Sequence, residues 1–184
     1  DMWFHCLPVF HVSGISILFR VFFGNGSLYL GQIDELMTSN DIGFSHISCV
    51  LTQFNQLKES VFHPSSTLKC ILLGGSVIPN SIKQYCNENK LPVYATYGLT
   101  EFSSQVGIRH MTTEESYRFL PHVDYSVSQD DTLLLKGDSL FSGYLTRAGI
   151  DSKLDSNSFY DTLDVVDIMT DNSFKVKGRL DNMV

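Results

Sequence analysis

No two of the four cysteines, Cys6, Cys49, Cys70 and Cys86, stand close enough to make a CxxC pair. That spacing argues against a zinc site or a redox couple and fits scattered reduced thiols in a cytoplasmic protein. Positive charge is short as well: 13 Lys and Arg stand against 20 Asp and Glu, a formal net charge of −7. Such a surface repels a phosphate backbone, so no nucleic-acid partner is expected. A small nucleotide is not excluded, because Mg2+ can bridge carboxylate and phosphate locally. Long hydrophobic runs are missing too. The most apolar stretch, Ile15 to Phe23, is interrupted by Arg20 and is too short to cross a bilayer, so no membrane insertion is expected. The start does not have the form of a signal peptide, and the chain shows no repeats or low-complexity tracts.

What is present is a globular balance, with 43% hydrophobic and 18% charged residues. The 184 residues suffice for one full domain or two small ones. The 13 Phe residues should fill much of the core or line a pocket. Asp1 opens directly into apolar sequence without an initiating Met, and the chain stops at Met183-Val184. Both ends read as cuts through a longer protein.

The first part of the chain alternates apolar runs with amphipathic stretches. Ile15 to Phe23 reads as a buried helix that stops at Gly24-Asn25-Gly26. Ser27 to Leu30 reads as a strand, Ile33 to Asn40 carries helix formers, and Ile47 to Leu51 is a short apolar run before a helix over Gln53 to Ser60. Leu68 to Leu73, closed by Gly74-Gly75, has the continuous apolar character of a buried parallel strand. Asn80 to Asn89 fits a helix capped by Asn80 or Ser81, and Pro92 to Thr96 fits the next strand. This alternation predicts an α/β fold with a doubly wound sheet. After about Thr112, past the polar connector Met111 to Tyr117, the texture becomes short β-rich pieces: Asp124 to Ser128, Thr132 to Lys136, Phe159 to Tyr160, Val165 to Met169 and Phe174 to Lys177. Turn residues separate them, as in a small antiparallel barrel or sheet. The expected division is an α/β subdomain over 1–111, a small β-rich subdomain over 112–177 and a hinge segment over 178–184.

Chemistry-bearing residues cluster at the predicted strand ends. Tyr97-Gly98-Leu99-Thr100-Glu101 follows a strand at the edge where open α/β sheets place ligands. An aromatic face can stack on a purine, a Gly admits close backbone approach, a Thr hydroxyl can donate to phosphate, and a carboxylate can hold Mg2+. The same five residues also fit a plain strand-to-helix turn with Thr100 as cap. Gly74-Gly75-Ser76 can bring backbone groups against a flat ligand, or can simply turn the chain. Further on come Gly137 to Tyr144, then Tyr160-Asp161-Thr162-Leu163-Asp164, then Gly178-Arg179-Leu180-Asp181-Asn182. Asp164 could grip two ribose hydroxyls or be an exposed turn residue. Arg179 could reach ribose or phosphate with its fork of donors or be a solvated cation.

These segments, in this order, resemble the adenylate-forming superfamily of acyl-CoA synthetases, luciferases and peptide-synthetase adenylation domains. That family carries an aromatic-Gly-x-Thr-Glu motif, then Gly-x-x-x-Phe-x-Gly-Tyr, then Thr-Gly-Asp, then Gly-Arg-x-Asp. The likeness covers essentially the whole chain. A finer resemblance is to the o-succinylbenzoate–CoA ligases of menaquinone synthesis, through Leu7-Pro8-Val9-Phe10-His11-Val12-Ser13-Gly14 and Leu72-Leu73-Gly74-Gly75-Ser76-Val77-Ile78-Pro79. The resemblance implies ATP or AMP, Mg2+ and CoA as the groups handled, with a small-molecule carboxylic acid as the other substrate. It implies that Tyr97 stacks on adenine, Thr100 contacts the AMP phosphate, Glu101 helps bind Mg2+, Asp164 binds the ribose and Arg179 supports the nucleotide. It further implies that Gly74, Gly75, Ser76 and Gly98 line the nucleotide, that His11 lies near the acyl site and that Asp181 sits at a hinge.

Two departures stand out. Leu163 occupies the place of the family's Gly, and Leu120-Pro121-His122 stands where a Gly-Pro-Gly-like loop is usual. The family's phosphate loop would precede Asp1 and its catalytic lysine would follow Val184, so these residues alone are expected to have little ligase activity. Three alternatives stay open: a different acyl- or aryl-CoA ligase, an amino-acid-adenylating domain, or a non-catalytic nucleotide-binding module on the same fold. The oligomeric state, a homo-oligomer included, is left open as well.

Overall fold

Ile71-Leu72-Leu73 is a run without a polar residue, as a strand requires when both its faces are covered. The computed structural model of the chain describes residues 1–38, 43–60 and 65–182. Two residues of the expected helix, Ser39 and Asn40, lie outside the described residues, as do Met183 and Val184 of the expected hinge. The chain forms two compact units, one of Asp1–Tyr97 with Arg109–Glu114, the other of Gly98–Ile108 with Glu115–Val184.

In the first unit the elements run β1 (Met2–His5), α1 (Val12–Phe23), β2 (Ser27–Leu30), α2 (Glu35–Thr38), β3 (His46–Val50), α3 (Leu51–Glu59), β4 (Cys70–Gly74), α4 (Asn80–Glu88) and β5 (Val93–Leu99). The strands lie in the order β2-β1-β3-β4-β5. Pairing is parallel from β2 through to β5. The order reverses between β1 and β3, which places the ligand crevice of such sheets at their carboxyl ends.

Register decides which side chains share a face. Ile47 pairs with Ile71 and Cys49 with Leu73; Ile71 pairs with Val93 and Leu73 with Ala95. All six are buried, together with Phe54 and Leu57 of α3 and Ile82 and Cys86 of α4. Burial first, then the nearby Cys6 and Cys86, hold the Cys49 thiol protonated far above the ordinary range. Each aliphatic side chain buried in this way contributes about 1.5–3 kcal/mol, which makes this layer the main source of the unit's stability.

α1 departs from expectation. It starts at Val12 rather than Ile15, and it is not a buried helix: Ile17 is buried, whereas Phe19, Phe22 and Phe23 are 55%, 77% and 79% exposed. A helix that is apolar all round is buried all round only where neighbours cover every side, and here one stripe is covered. The cap of α4 also differs. Pro79, not Asn80 or Ser81, is the capping residue (φ −64°, ψ 149°), and its carbonyl accepts from Ile82 N at 3.0 Å. The fixed φ of proline suits a helix entry, so no side-chain cap is used. At α3, the Gln53 side chain reaches back to accept from Val50 N at 3.1 Å.

The second unit continues with β6 (Ser104–His110), β7 (Tyr117–Phe119), β8 (Asp124–Val127), β9 (Thr132–Lys136), β10 (Tyr144–Thr146), β11 (Gly149–Asp151), β12 (Tyr160–Ile168) and β13 (Ser173–Arg179). The main sheet here is antiparallel in the order β6-β7-β13-β12-β9-β8, while β10 and β11 form a separate hairpin. Phe119 stacks on Tyr125 at 3.9 Å and on Phe174 at 4.3 Å, and Leu133 and Leu135 of β9 are fully buried. The two pieces expected at Phe159 to Tyr160 and Val165 to Met169 are one strand, β12, with irregular register at Asp161/Val165 and at Val165/Val166. The expected turns are present: Asp131 and Asn172 both have left-handed φ, near 60°. Strands β1, β6, β7, β10 and β11 are additions that the apolar pattern did not mark. Among the described residues no helix is long and apolar enough to cross a membrane.

His5, at the end of β1, is 3% exposed, and neither ring nitrogen has a hydrogen-bond partner. Burial pushes its pKa below the ordinary value, and His46 is lowered by burial and then by Lys69 and the chain's amino terminus. The unfolded chain therefore binds these protons at a higher pH than the folded one. The stability is complete above the unfolded histidine pKa and is lost as pH falls through the folded values. Urea unfolding should show a lower midpoint at pH 5.5 than at pH 7.5, and His5→Leu should narrow that gap. An unchanged gap in the variant would show that His5 is not the sensitive group.

Candidate active site

Strand ends present the expected residues in each unit. In the first, Pro8 to His11 leads from β1 into α1, and His11 N donates to Pro8 O at 3.1 Å. The loop folds so tightly that a Cβ on Gly14 would collide with the Pro8 carbonyl, so only glycine fits there. His11 is the entry residue of α1, exposed, with its ring 4.7 Å from that of Phe10. Its carbonyl accepts from Gly14 N and Ile15 N, both at 3.0 Å. Gly74, Gly75 and Ser76 leave the carboxyl end of β4, with Gly75 and Ser76 exposed and the backbone left-handed at Gly75 (φ +85°). The adjacent strand β5 carries half-buried Tyr97 to the same edge. The sheet thus brings Gly74 to Ser76 and Tyr97 to neighbouring strand ends, while His11 follows β1 further along that edge.

In the second unit Gly98 begins a sharp reversal. A Cβ there would overlap the Ser104 carbonyl, so the glycine is required by the chain's own backbone, whatever ligand approaches. Thr100 to Phe102 form one 3-10 turn, closed by Ser103 in the left-handed region (φ 54°), whose N–H donates to Thr100 O at 3.1 Å. Thr100 is exposed, Glu101 half-buried and Phe102 buried, so the turn's apolar residue anchors it while the polar pair faces outward.

Glu101 is tied to the segment Gly137 to Tyr144. The Tyr144 hydroxyl donates to Glu101 Oε1 at 2.6 Å, and Phe141 N donates to the Glu101 carbonyl at 2.8 Å. Ser103 Oγ donates to Ser139 O at 2.7 Å. Tyr160 OH lies 3.3 Å from Tyr144 OH. Tyr144 and Tyr160 were not among the expected site residues. Both sit inside the motif segments, which was the only signal in the sequence that could have pointed to them.

Asp164 and Arg179 face each other in register on β12 and β13, with Oδ1 and Nη1 3.7 Å apart. Arg179 Nε also bonds Asp181 Oδ1 at 3.2 Å. The hydrogen bond to Asp181, with the charges of Asp181 and Asp164, raises the pKa of the guanidinium above its ordinary value. Asp164 is set by its neighbours: buried Thr162 donates to Leu133 O at 2.8 Å and accepts from Asp164 N at 3.1 Å. Leu163, where the resemblance implies glycine, takes the left-handed φ of 60° that glycine adopts freely, and its N–H donates to Asp161 Oδ1 at 2.8 Å. The turn is kept at the expense of strain on Leu163.

No group of three or more His, Cys, Asp or Glu positioned to hold a metal occurs among the described residues. Glu101 nevertheless offers a hard oxygen donor beside an exposed threonine. That fits Mg2+, which is commonly held by one or two carboxylates together with substrate phosphates rather than by a protein cage.

These features place the chain among α/β proteins with a candidate ligand site at the carboxyl ends of parallel strands. It belongs to the AMP-binding enzyme family, whose model matches residues 1–145. It is 34% identical over 161 residues to the 2-succinylbenzoate–CoA ligase of Lactococcus lactis, covering 79% of this chain and 35% of that protein. It superimposes on E. coli MenE bound to an analogue of OSB-AMS with a TM-score of 0.86 and 28% identity, covering 99% of this chain and 40% of that one. The o-succinylbenzoate coenzyme A synthetase (MenE) of Bacillus subtilis in complex with ATP and magnesium ion gives a TM-score of 0.86 and 25% identity, covering 100% of this chain and 42% of that one. The chain therefore spans less than half the length of each of these proteins.

Left-handed backbone costs a non-glycine residue about 1–2 kcal/mol, whereas glycine gives back about 0.5–1 kcal/mol through unfolded-state entropy. Leu163→Gly should therefore change stability by between zero and about +1.5 kcal/mol, whereas Leu163→Ile, which introduces β-branching, should lose about 1 kcal/mol or more. Chemical denaturation of the two variants measures both.

Proposed function

We propose that the gene product carrying this chain is an ATP-dependent, AMP-forming acid–CoA ligase, and that its acid is o-succinylbenzoate, activated in the cytoplasm for menaquinone synthesis. The observation that carries this reading is the set of four ordered motif segments, each at a strand end or turn, in a chain whose relatives are 2-succinylbenzoate–CoA ligases over matched stretches.

In this reading Tyr97 stacks on the adenine, with the backbone of Gly74, Gly75, Ser76 and Gly98 against the nucleotide. Asp164 accepts from the ribose hydroxyls. Arg179, oriented by Asp164 and Asp181, supports the nucleotide, and Asp181 lies at the hinge. Thr100 donates to the α-phosphate, and His11 borders the acyl group. A carboxylate oxygen of the acid attacks the α-phosphorus, forming the acyl-adenylate as pyrophosphate leaves. The thiol of CoA then attacks the acyl carbon, and AMP departs. Mg2+ held by Glu101 would offset negative charge on the phosphate oxygens during the first step. The rest is positioning: the rigid turn at Thr100 and Glu101 presents its donors without reorganisation.

ATP–pyrophosphate exchange by the gene product, run against a panel of carboxylic acids, tests the reading. Exchange with o-succinylbenzoate alone supports it. Exchange with another acid keeps the chemistry and overturns the substrate, and exchange with none of them favours a nucleotide-binding module. Asp164→Ala removes charge-assisted hydrogen bonds worth about 1.5–3 kcal/mol. It should raise the KM for ATP by roughly ten- to a hundredfold, with a smaller change in kcat.

A further inference from the structure

The segment Gly137 to Tyr144 and the turn Thr100 to Phe102 are joined at three levels. At the backbone, Phe141 N donates to Glu101 O at 2.8 Å. At the flank, Ser103 Oγ donates to Ser139 O at 2.7 Å. At the side chain, the Tyr144 phenol donates to Glu101 Oε1 at 2.6 Å. The last distance is that of a charge-assisted O–H···O− bond. A phenol has one proton, so with that proton on Glu101 the 3.3 Å contact with Tyr160 is a bond donated by Tyr160 to Tyr144. A directed relay results, from Tyr160 to Tyr144 to Glu101. It engages Oε1 of the carboxylate.

Tyr144 opens β10. Its ring is 41% exposed and meets Phe141 edge-on at 4.9 Å, so little core packing depends on the hydroxyl. The backbone before it is bent at Gly143 (φ +144°), where a Cβ would lie 2.6 Å from the Asp151 carbonyl.

We infer that Tyr144 is a positioning residue, whose hydroxyl fixes the Glu101 carboxylate in the orientation that receives Mg2+. This rests on the reading of Glu101 as the metal-holding carboxylate. Groups that orient a metal's ligand commonly change metal affinity by 10–100-fold when removed. Tyr144→Phe keeps the ring and its contact with Phe141 and deletes only the hydroxyl.

The test is a double-mutant cycle in the gene product carrying this chain. Calorimetry measures the affinity for Mg2+ in the presence of a saturating non-hydrolysable ATP analogue, for the parent, Tyr144→Phe, Glu101→Gln and the double variant. Thermal unfolding is followed in parallel. The expected result is an approximately tenfold weaker Mg2+ affinity in Tyr144→Phe, an unchanged thermal midpoint, and no further loss when the substitution is made in the Glu101→Gln background. A Tyr144→Phe protein with parental Mg2+ affinity, or losses that simply add, would overturn the positioning role while leaving Glu101 as the metal-holding residue. A Glu101→Gln protein with parental affinity would overturn that underlying assignment, and the inference with it.

Discussion

A parallel strand inside a sheet, paired along both edges and covered on both faces, holds its place only when the apolar side chains on it are buried. Ile47, Cys49, Ile71, Leu73, Val93 and Ala95 meet this need together, in register, with Phe54, Leu57, Ile82 and Cys86 of the neighbouring helices buried in the same unit. Because all these strands run the same way, burying that face also sets their carboxyl ends along one edge. Gly74 to Ser76 and Tyr97 reach that edge because β4 and β5 run parallel. The candidate site of this unit is a consequence of strand direction, and strand direction is held by hydrophobic burial.

The second unit works through polar bonds and tight backbone more than through a deep core. Gly98 allows the chain to double back on Ser104, which creates the turn that displays Thr100 and Glu101. Thr162 then acts as a pin: it is buried, it holds the Leu133 carbonyl, and it receives the Asp164 N–H. Leu163 is driven into a left-handed conformation to keep this arrangement. A strained residue beside a candidate ribose ligand shows that the position of Asp164 is over-determined by its surroundings. The pairing of Arg179 with both Asp164 and Asp181 extends the same rigidity to the last described turn.

Much of this order was legible in the residues. The apolar run at Ile71 to Leu73, the turn signals at Asn25, Asp131 and Asn172, and the motif residues at strand ends all rest on local chemistry: continuous burial, tolerance of left-handed φ, and Gly where backbone must pass. Other features were not legible. The exposed phenylalanines of α1 look identical in sequence to buried ones, because hydrophobicity states a preference and not whether a neighbour exists to meet it. Strands such as Met2–His5 and Ser104–His110 contain His, Gln and Arg, and take strand form because adjacent strands offer them ladder partners. The break expected within β12 is absent for a similar reason, since partners on β9 and β13 carry the strand through two irregular steps.

What the sequence determined alone is the kind of chemistry on offer and its order along the chain: an aromatic, a threonine and a carboxylate after one strand, a second carboxylate and an arginine on two later ones. Which of these groups meet was decided only by tertiary structure. Glu101 and Tyr144 are 43 residues apart, and nothing local couples them. Their 2.6 Å hydrogen bond exists because the Glu101 turn and the Gly137 to Tyr144 segment share backbone and side-chain hydrogen bonds, and a hydrogen bond depends on distance and angle in space, not on separation along the chain.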